Sequence, residues 1–128
     1  MLLGDVNDSV SAFYEALVEI GMADSVTTFT QSDFGRTMTS NGDGTDHAWG
    51  GIQFVVGDAV AGRNLYGTFP DLALGSDDDV GGGRFIPTTS ADQYAATLAK
   101  WFGVDELDLP TVAPNIGNFG MQDLGFFI

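Results

Sequence analysis

Two stretches of the chain gather reactive side chains, TQSDFGRT at 30–37 and NGDGTDHAWGG at 41–51, and between them they hold Ser32, Asp33, Arg36, Asp46 and the one histidine, His47. Two chemistries suit such a set. Carboxylate and imidazole together can hold a divalent metal (Zn, Mg or Ca), and a metal-bound water or substrate oxygen then becomes the reactive group. Asp33, Asp46 and His47 are the candidate ligands. Alternatively, Asp46 or Asp33 can orient His47 as a general base for a hydroxyl such as that of Ser32. Arg36 would bind a substrate anion or the charge that develops on it. Neither spacing is diagnostic, because GxSxG, HExxH, GxxxxGK[ST] and GxGxxG are all missing from the sequence. NGDGTD echoes a calcium loop in composition only. An EF-hand with Asp43 at its fifth position would need a carboxylate where Thr39 stands and a bidentate Glu where Gly50 stands. Each residue also has a plainer reading: His47 can hydrogen-bond across a loop, Asp33 can cap the turn after its strand, and Arg36 can be its ion-pair partner.

Positioning these residues falls to a few elements. Val10, Phe13, Leu17 and Ile20 recur at helical spacing, with Asn7 or Asp8 as a cap and Gly21 as a stop, which predicts a helix over about 8–20. SVTTFT at 25–30 reads as a strand, so Ser32, Asp33 and Arg36 follow a strand end, where α/β sheets place their ligand crevice. NGDGTDHAWGG reads as loop, leading into IQFVV at 52–56 as a buried strand. Residues 57–84 show little periodicity beyond a short extended piece near 64–67. Within them GSDDDVGGGR reads as a solvated, flexible loop, because consecutive carboxylates repel one another. Ser90 and Gln93 form a capping box for a second helix over about 91–102, ended by Gly103, with Tyr94, Leu98, Trp101 and Phe102 as its core-facing stripe. The terminal LGFFI is too apolar to be left in water and should pack on something.

The composition narrows the function classes. The chain has 128 residues with 18 acidic against 4 basic side chains, a net charge of −14. It reads as a single globular domain over 1–128, since 44% hydrophobic residues supply a core. So few scattered cations cannot neutralise a run of phosphates or dock on anionic lipid, which argues against nucleic acid and membrane partners. Fifteen of the acids are Asp, which favours turns and caps, so the charge belongs mainly to loops. Without cysteine there is no disulfide, thiolate metal site or thiol nucleophile. MLLGDVND lacks the features of a signal peptide, and the compartment stays unassigned.

The succession ADSVTTFTQSDFGRTMTSNGDGTDHAWGG, LYGTFPDLALG and GRFIPTTSADQYAATLAKWFGV resembles the carboxyl-terminal part of the DUF1501 proteins, over nearly the whole chain. That family is bacterial, its full-length members run to several hundred residues and commonly carry a twin-arginine export signal, and it is grouped with the alkaline phosphatase and sulfatase-like superfamily. The resemblance implies an α/β fold, here a partial doubly wound sheet with two main helices and long Gly/Asp-rich loops. It also implies that Asp33 stands where the superfamily often has an Asp-His metal pair, with Phe34 in place of that His, and that His47 falls near a later metal-binding His. The nucleophile and remaining ligands would belong to an amino-terminal portion. The expected activity is hydrolysis of a small phosphate, sulfate or carboxylic ester, the alternative a non-catalytic acidic binding module or an inactive truncated member. Part of such a sheet on its own would expose strand edges and apolar faces, which predicts a homo-oligomer.

Overall fold

Apolar residues at Leu3, Val6, Val10, Phe13 and Leu17 share one helical stripe, and the computed structural model, which describes residues 2–128, forms helix α1 over Leu2–Glu19. The helix starts earlier than the expected residue 8 because Leu3 and Val6 continue the stripe. It closes through Gly21, where the Met22 amide donates to the Leu17 carbonyl at 2.8 Å. The chain then divides into two compact units.

The first unit comprises the described residues up to Gln31, Gln53–Asn64 and Phe126–Ile128. Its ladder is short: β1 (Thr28–Phe29) pairs antiparallel with β4 (Val55–Val56), in register Thr28 with Val56. The Thr30 hydroxyl extends the pairing by donating to Gln53 Oε1 at 2.8 Å and accepting from the Phe54 amide at 2.8 Å. Tyr14 donates its phenolic proton to Asp58, tying α1 to the turn after β4, and that bond pushes the Tyr14 pKa up. The apolar terminus packs as expected. Phe126 is buried, its carbonyl accepts from the Ala61 amide, and the Ile128 amide donates to Ala59 O.

The second unit comprises Ser32–Ile52 and Leu65–Gly125. It contains an antiparallel hairpin, β2 (Gly35–Ser40) with β3 (Thr45–Ala48), in the stretch read as loop. Its helical part is as read: α2 spans Ala91–Phe102, with the reciprocal Ser90 and Gln93 capping bonds formed. Such a cap stabilises a helix by about 1 kcal/mol. Gly103 ends α2 at φ 102°, a left-handed conformation in which a Cβ is strained, and its amide donates to Ala99 and Lys100 carbonyls. The core-facing stripe differs from the expected one. Ala96, Thr97 and Ala99 are buried, whereas Phe102 is 83% exposed. Small alanines let the short helix α3 (Leu109–Val112) approach α2 closely, and Leu109, Ala113 and Ile116 complete that core, with Val104 beside it. Thr97 is satisfied inside it, donating to Gln93 O at 2.8 Å and accepting from the Leu124 amide at 2.9 Å. Lys100 pairs with Asp123 at 2.9 Å and Glu106 at 3.0 Å, which raises its pKa.

Among the described residues the result is a small mixed α/β chain with three α-helices and two small antiparallel sheets. No doubly wound parallel sheet forms among the described residues. SVTTFT and IQFVV do contribute strands, but two residues each, joined directly as antiparallel neighbours with no helical crossover between parallel strands. Ile52 and Phe54, expected to be buried, are 65% and 62% exposed. Among the described residues no helix is long and apolar enough to cross a membrane.

The acidic loop is built rather than loose. Asp79 Oδ1 accepts from the Gly81 and Gly83 amides and Oδ2 from the Gly75 amide, all at 2.8–2.9 Å. Asp78 caps the Asp71 amide, and Asp71 caps that of Ala73. These carboxylates relieve their mutual repulsion by binding backbone N–H groups, the competition that short acidic side chains win in turns. The N–H donors, Gly75 foremost, hold the Asp79 pKa below its usual 3.8 against the opposing effect of burial. A carboxylate lowered by folding contributes stability above its unfolded pKa and loses it as pH falls through the lower folded value. The Gly75, Gly81 and Gly83 amide NMR shifts are therefore expected to move together, at a pH below 3.8. Asp79→Asn should show the acid-form shifts at neutral pH. Independent titration of the three amides would refute the shared carboxylate.

Candidate functional site

The hairpin places the predicted residues, and its turn explains why it forms. Asn41–Gly44 connects β2 to β3, with Gly42 at φ 101° supplying the left-handed step that a tight hairpin turn needs. The Asn41 amide donates to Gly44 O at 3.0 Å, and the Asn41 side chain accepts from the Asp43 amide at 3.1 Å. Thr37, Thr39, Thr45 and the Asn-Gly pair are hairpin signals that were legible in the sequence and were outweighed there by the glycine and aspartate content.

Register then decides which side chains share a face. Arg36 lies opposite His47, and Gly35 opposite Ala48. Cross-strand partners point the same way and neighbours along a strand point oppositely. Arg36 and His47 accordingly share the exposed face, whereas Thr37 and Ala48 are buried on the other. Phe34 stacks on the His47 imidazole with ring centroids 3.6 Å apart and planes 13° from parallel. The Arg36 guanidinium carbon sits 5.1 Å from the centre of the Phe34 ring, while Nη1 donates to Thr45 O at 2.8 Å. This is a cation, an aromatic ring and an imidazole held on one exposed face. Among the described residues neither ring nitrogen of His47 has a hydrogen-bond partner.

The remaining candidates are placed differently. Asp46 does not orient His47. Its carboxylate accepts from Asn41 Nδ2 at 2.8 Å and pairs with Arg84 Nη2 at 3.3 Å. Ser32 donates to Phe34 O at 2.9 Å, closing the turn that presents Phe34 to His47. Asp33 lies in that turn, exposed, with no hydrogen bond or ion pair among the described residues, so it neither caps the turn nor pairs with Arg36. Among the described residues no group of three or more His, Cys, Asp or Glu is placed to hold a metal ion. The donor set Asp33, Asp46 and His47 therefore does not fit a divalent metal here, since adjacent strand positions send Asp46 and His47 to opposite faces. Phe34, Asn41 and Arg84 were missed in the sequence. Phe34 had a visible signal, an aromatic at the position where the resemblance places a histidine, but Arg84 meets Asp46 only through the fold.

One further contact fixes the hairpin to its surroundings. A Cβ on Gly35 would lie 1.6 Å from the Gly50 carbonyl oxygen, so the backbone at Gly50 runs against β2 where only glycine fits. The Met38 amide donates to Gly83 O at 3.2 Å and the Thr39 hydroxyl to Gly82 O at 2.7 Å, which docks the Asp79 loop on β2.

Comparison with curated proteins and with solved structures finds no match. A family model, described as a protein of unknown function (DUF1501), matches residues 1–107. The chain belongs to the DUF1501 family.

Proposed function

We propose that the Arg36–His47 face is the anion-handling side of an ester hydrolase site, acting on small phosphate, sulfate or carboxylic esters. One observation carries the reading: in a chain of net charge −14, the one imidazole, open at both nitrogens, is held by an aromatic ring beside an arginine. His47 moves the proton, taking it from the attacking hydroxyl or returning it to the leaving group. Arg36 holds the substrate anion and the charge that builds on it. Asp33 supplies an uncommitted carboxylate on the adjoining turn. The Ser32 hydroxyl would have to leave Phe34 O before serving as nucleophile. Asp46 positions the hairpin through Arg84 and Asn41. No step runs through a metal, because the donor set does not fit one.

The same reading takes the chain as the carboxyl-terminal part of a larger alkaline phosphatase or sulfatase-like protein. There a doubly wound sheet and an amino-terminal nucleophile would complete the site. Self-association belongs with it, since Leu3, Val6 and Phe13 on α1, and Ile20 just past its end, are between 48% and 73% exposed. Burying such a stripe is favourable at ~25 cal/mol per Å² of apolar area. Gel filtration at micromolar concentration should give a mass above that of one chain, and a single-chain mass would remove the oligomer.

A second reading, a non-catalytic binding module, draws on Asp46, whose engagement with Arg84 leaves His47 without an orienting carboxylate. Hydrolysis of nitrophenyl phosphate, sulfate and acetate by wild type and His47→Ala, with and without chelator, separates the two. Equal rates in both proteins would take His47 out of catalysis, and chelator sensitivity would return a metal to the site.

A further inference from the structure

The sequence has four basic side chains, Arg36, Arg63, Arg84 and Lys100, and the fold engages three of them. Arg36 stands in β2 with Nη1 on Thr45 O at 2.8 Å. Arg84 pairs with Asp46 at 3.3 Å, and its backbone is tied on both sides, the amide donating to Gly81 O and the carbonyl accepting from the Val80 amide. Lys100 sits in α2, held by Asp123 and Glu106. Arg63 is placed otherwise. It is exposed, lies outside every helix and strand, and has no ion pair or hydrogen bond among the described residues. It is also the one non-glycine residue among them with a left-handed backbone, at φ 62°. That conformation is strained for a residue carrying a Cβ.

Endoproteases that select Arg or Lys seat it in a pocket with a carboxylate at its base and draw the flanking residues into extended form. At Arg36, Arg84 and Lys100 this requires opening a strand, a bonded turn or a helix, and stripping each side chain from its partners. At Arg63 the change relieves the left-handed strain. The bonds of Asn64 Nδ2 to Ala61 O at 3.1 Å and Gly62 O at 3.3 Å oppose it, but they close only a short exposed loop.

We propose that an endoprotease specific for basic side chains cuts the folded chain once, at Arg63–Asn64. The hydroxyl of water joins the Arg63 carbonyl carbon, and the Asn64 nitrogen takes the proton as the C–N bond breaks. Each unit stays bonded across the cut. In the first, Val60 bridges to Phe127, the Ala61 amide donates to Phe126 O and the Ile128 amide to Ala59 O. In the second, the Met38 amide donates to Gly83 O, the Thr39 hydroxyl to Gly82 O, and Arg84 pairs with Asp46. Residues 1–63 and 64–128 therefore remain together as a two-chain protein.

The test treats the full chain with a trace of trypsin and follows it by intact mass, gel filtration and circular dichroism. The first products should be 1–63 and 64–128, eluting together where the uncut chain elutes, with the helical signal kept. Arg63→Gly suits the left-handed backbone and removes the cation. It should lose intact chain at least about tenfold more slowly, since every other basic residue needs backbone and partner bonds opened together. A first cut after Arg36, Arg84 or Lys100 would overturn the proposal, as would fragments that elute apart or an Arg63→Gly chain cut at the wild-type rate.

Discussion

Gly35→Ala is expected to destabilise the second unit by about 3 kcal/mol or more, the upper end of what overpacking a tight site costs. The added methyl would sit 1.6 Å from Gly50 O, and the obstacle is backbone, not the end of a side chain that can swing aside. Either β2 or the segment around Gly50 must move. Because Gly35 lies between Phe34 and Arg36, any such movement also separates the ring stack from the guanidinium. Urea unfolding should show a lower midpoint with little change in slope, and loss of ring-current shifts on the His47 protons should accompany it. A midpoint within experimental error of wild type would mean that the Gly50 carbonyl does not approach β2 as described. Gly4→Ala, on the exposed helix α1 with nothing near its added methyl, is the control.

His47→Ala is expected to lower ester hydrolysis roughly 10²- to 10⁴-fold, the usual contribution of a positioned acid or base. Arg36→Ala should act otherwise, raising KM for phosphate and sulfate esters while leaving the acetate ester almost untouched, because a neutral substrate gives the guanidinium no charge to hold. Phe34→Leu separates geometry from chemistry. It keeps an apolar side chain under the imidazole but removes the flat surface, and should reduce kcat by less than His47→Ala does. If all three variants match wild type on all three esters, the hairpin face has no part in hydrolysis.

Helix α2 was legible because its signals are local: Ser90 and Gln93 three apart, alanines between, Gly103 at the end. Its buried face was misread since hydrophobicity pointed to Phe102, while the packing partner α3 comes so near that only Ala96 and Ala99 fit between. The hairpin went unread for a related reason. Its strands carry threonine, arginine, aspartate and histidine in place of large apolar residues, and they are held by turn chemistry and by docking on Gly82 and Gly83. At the candidate site, the nearness of Arg36 and His47 was readable as two reactive stretches a few residues apart. That Asp46 turns away could not be read, because it depends on strand register and on Arg84, far along the chain.

Phe126, with its carbonyl bound to Ala61 and the Ile128 amide bound to Ala59, places the last residues in the unit that also contains α1. During synthesis those residues emerge after everything in the second unit. The first unit is thus closed by segments made before and after the whole of the second, so it is the later of the two to gain all of its own contacts. A chain cut before Phe126 would keep every hairpin bond and lose those at Ala59 and Ala61, so protease should attack the α1 unit of such a chain first.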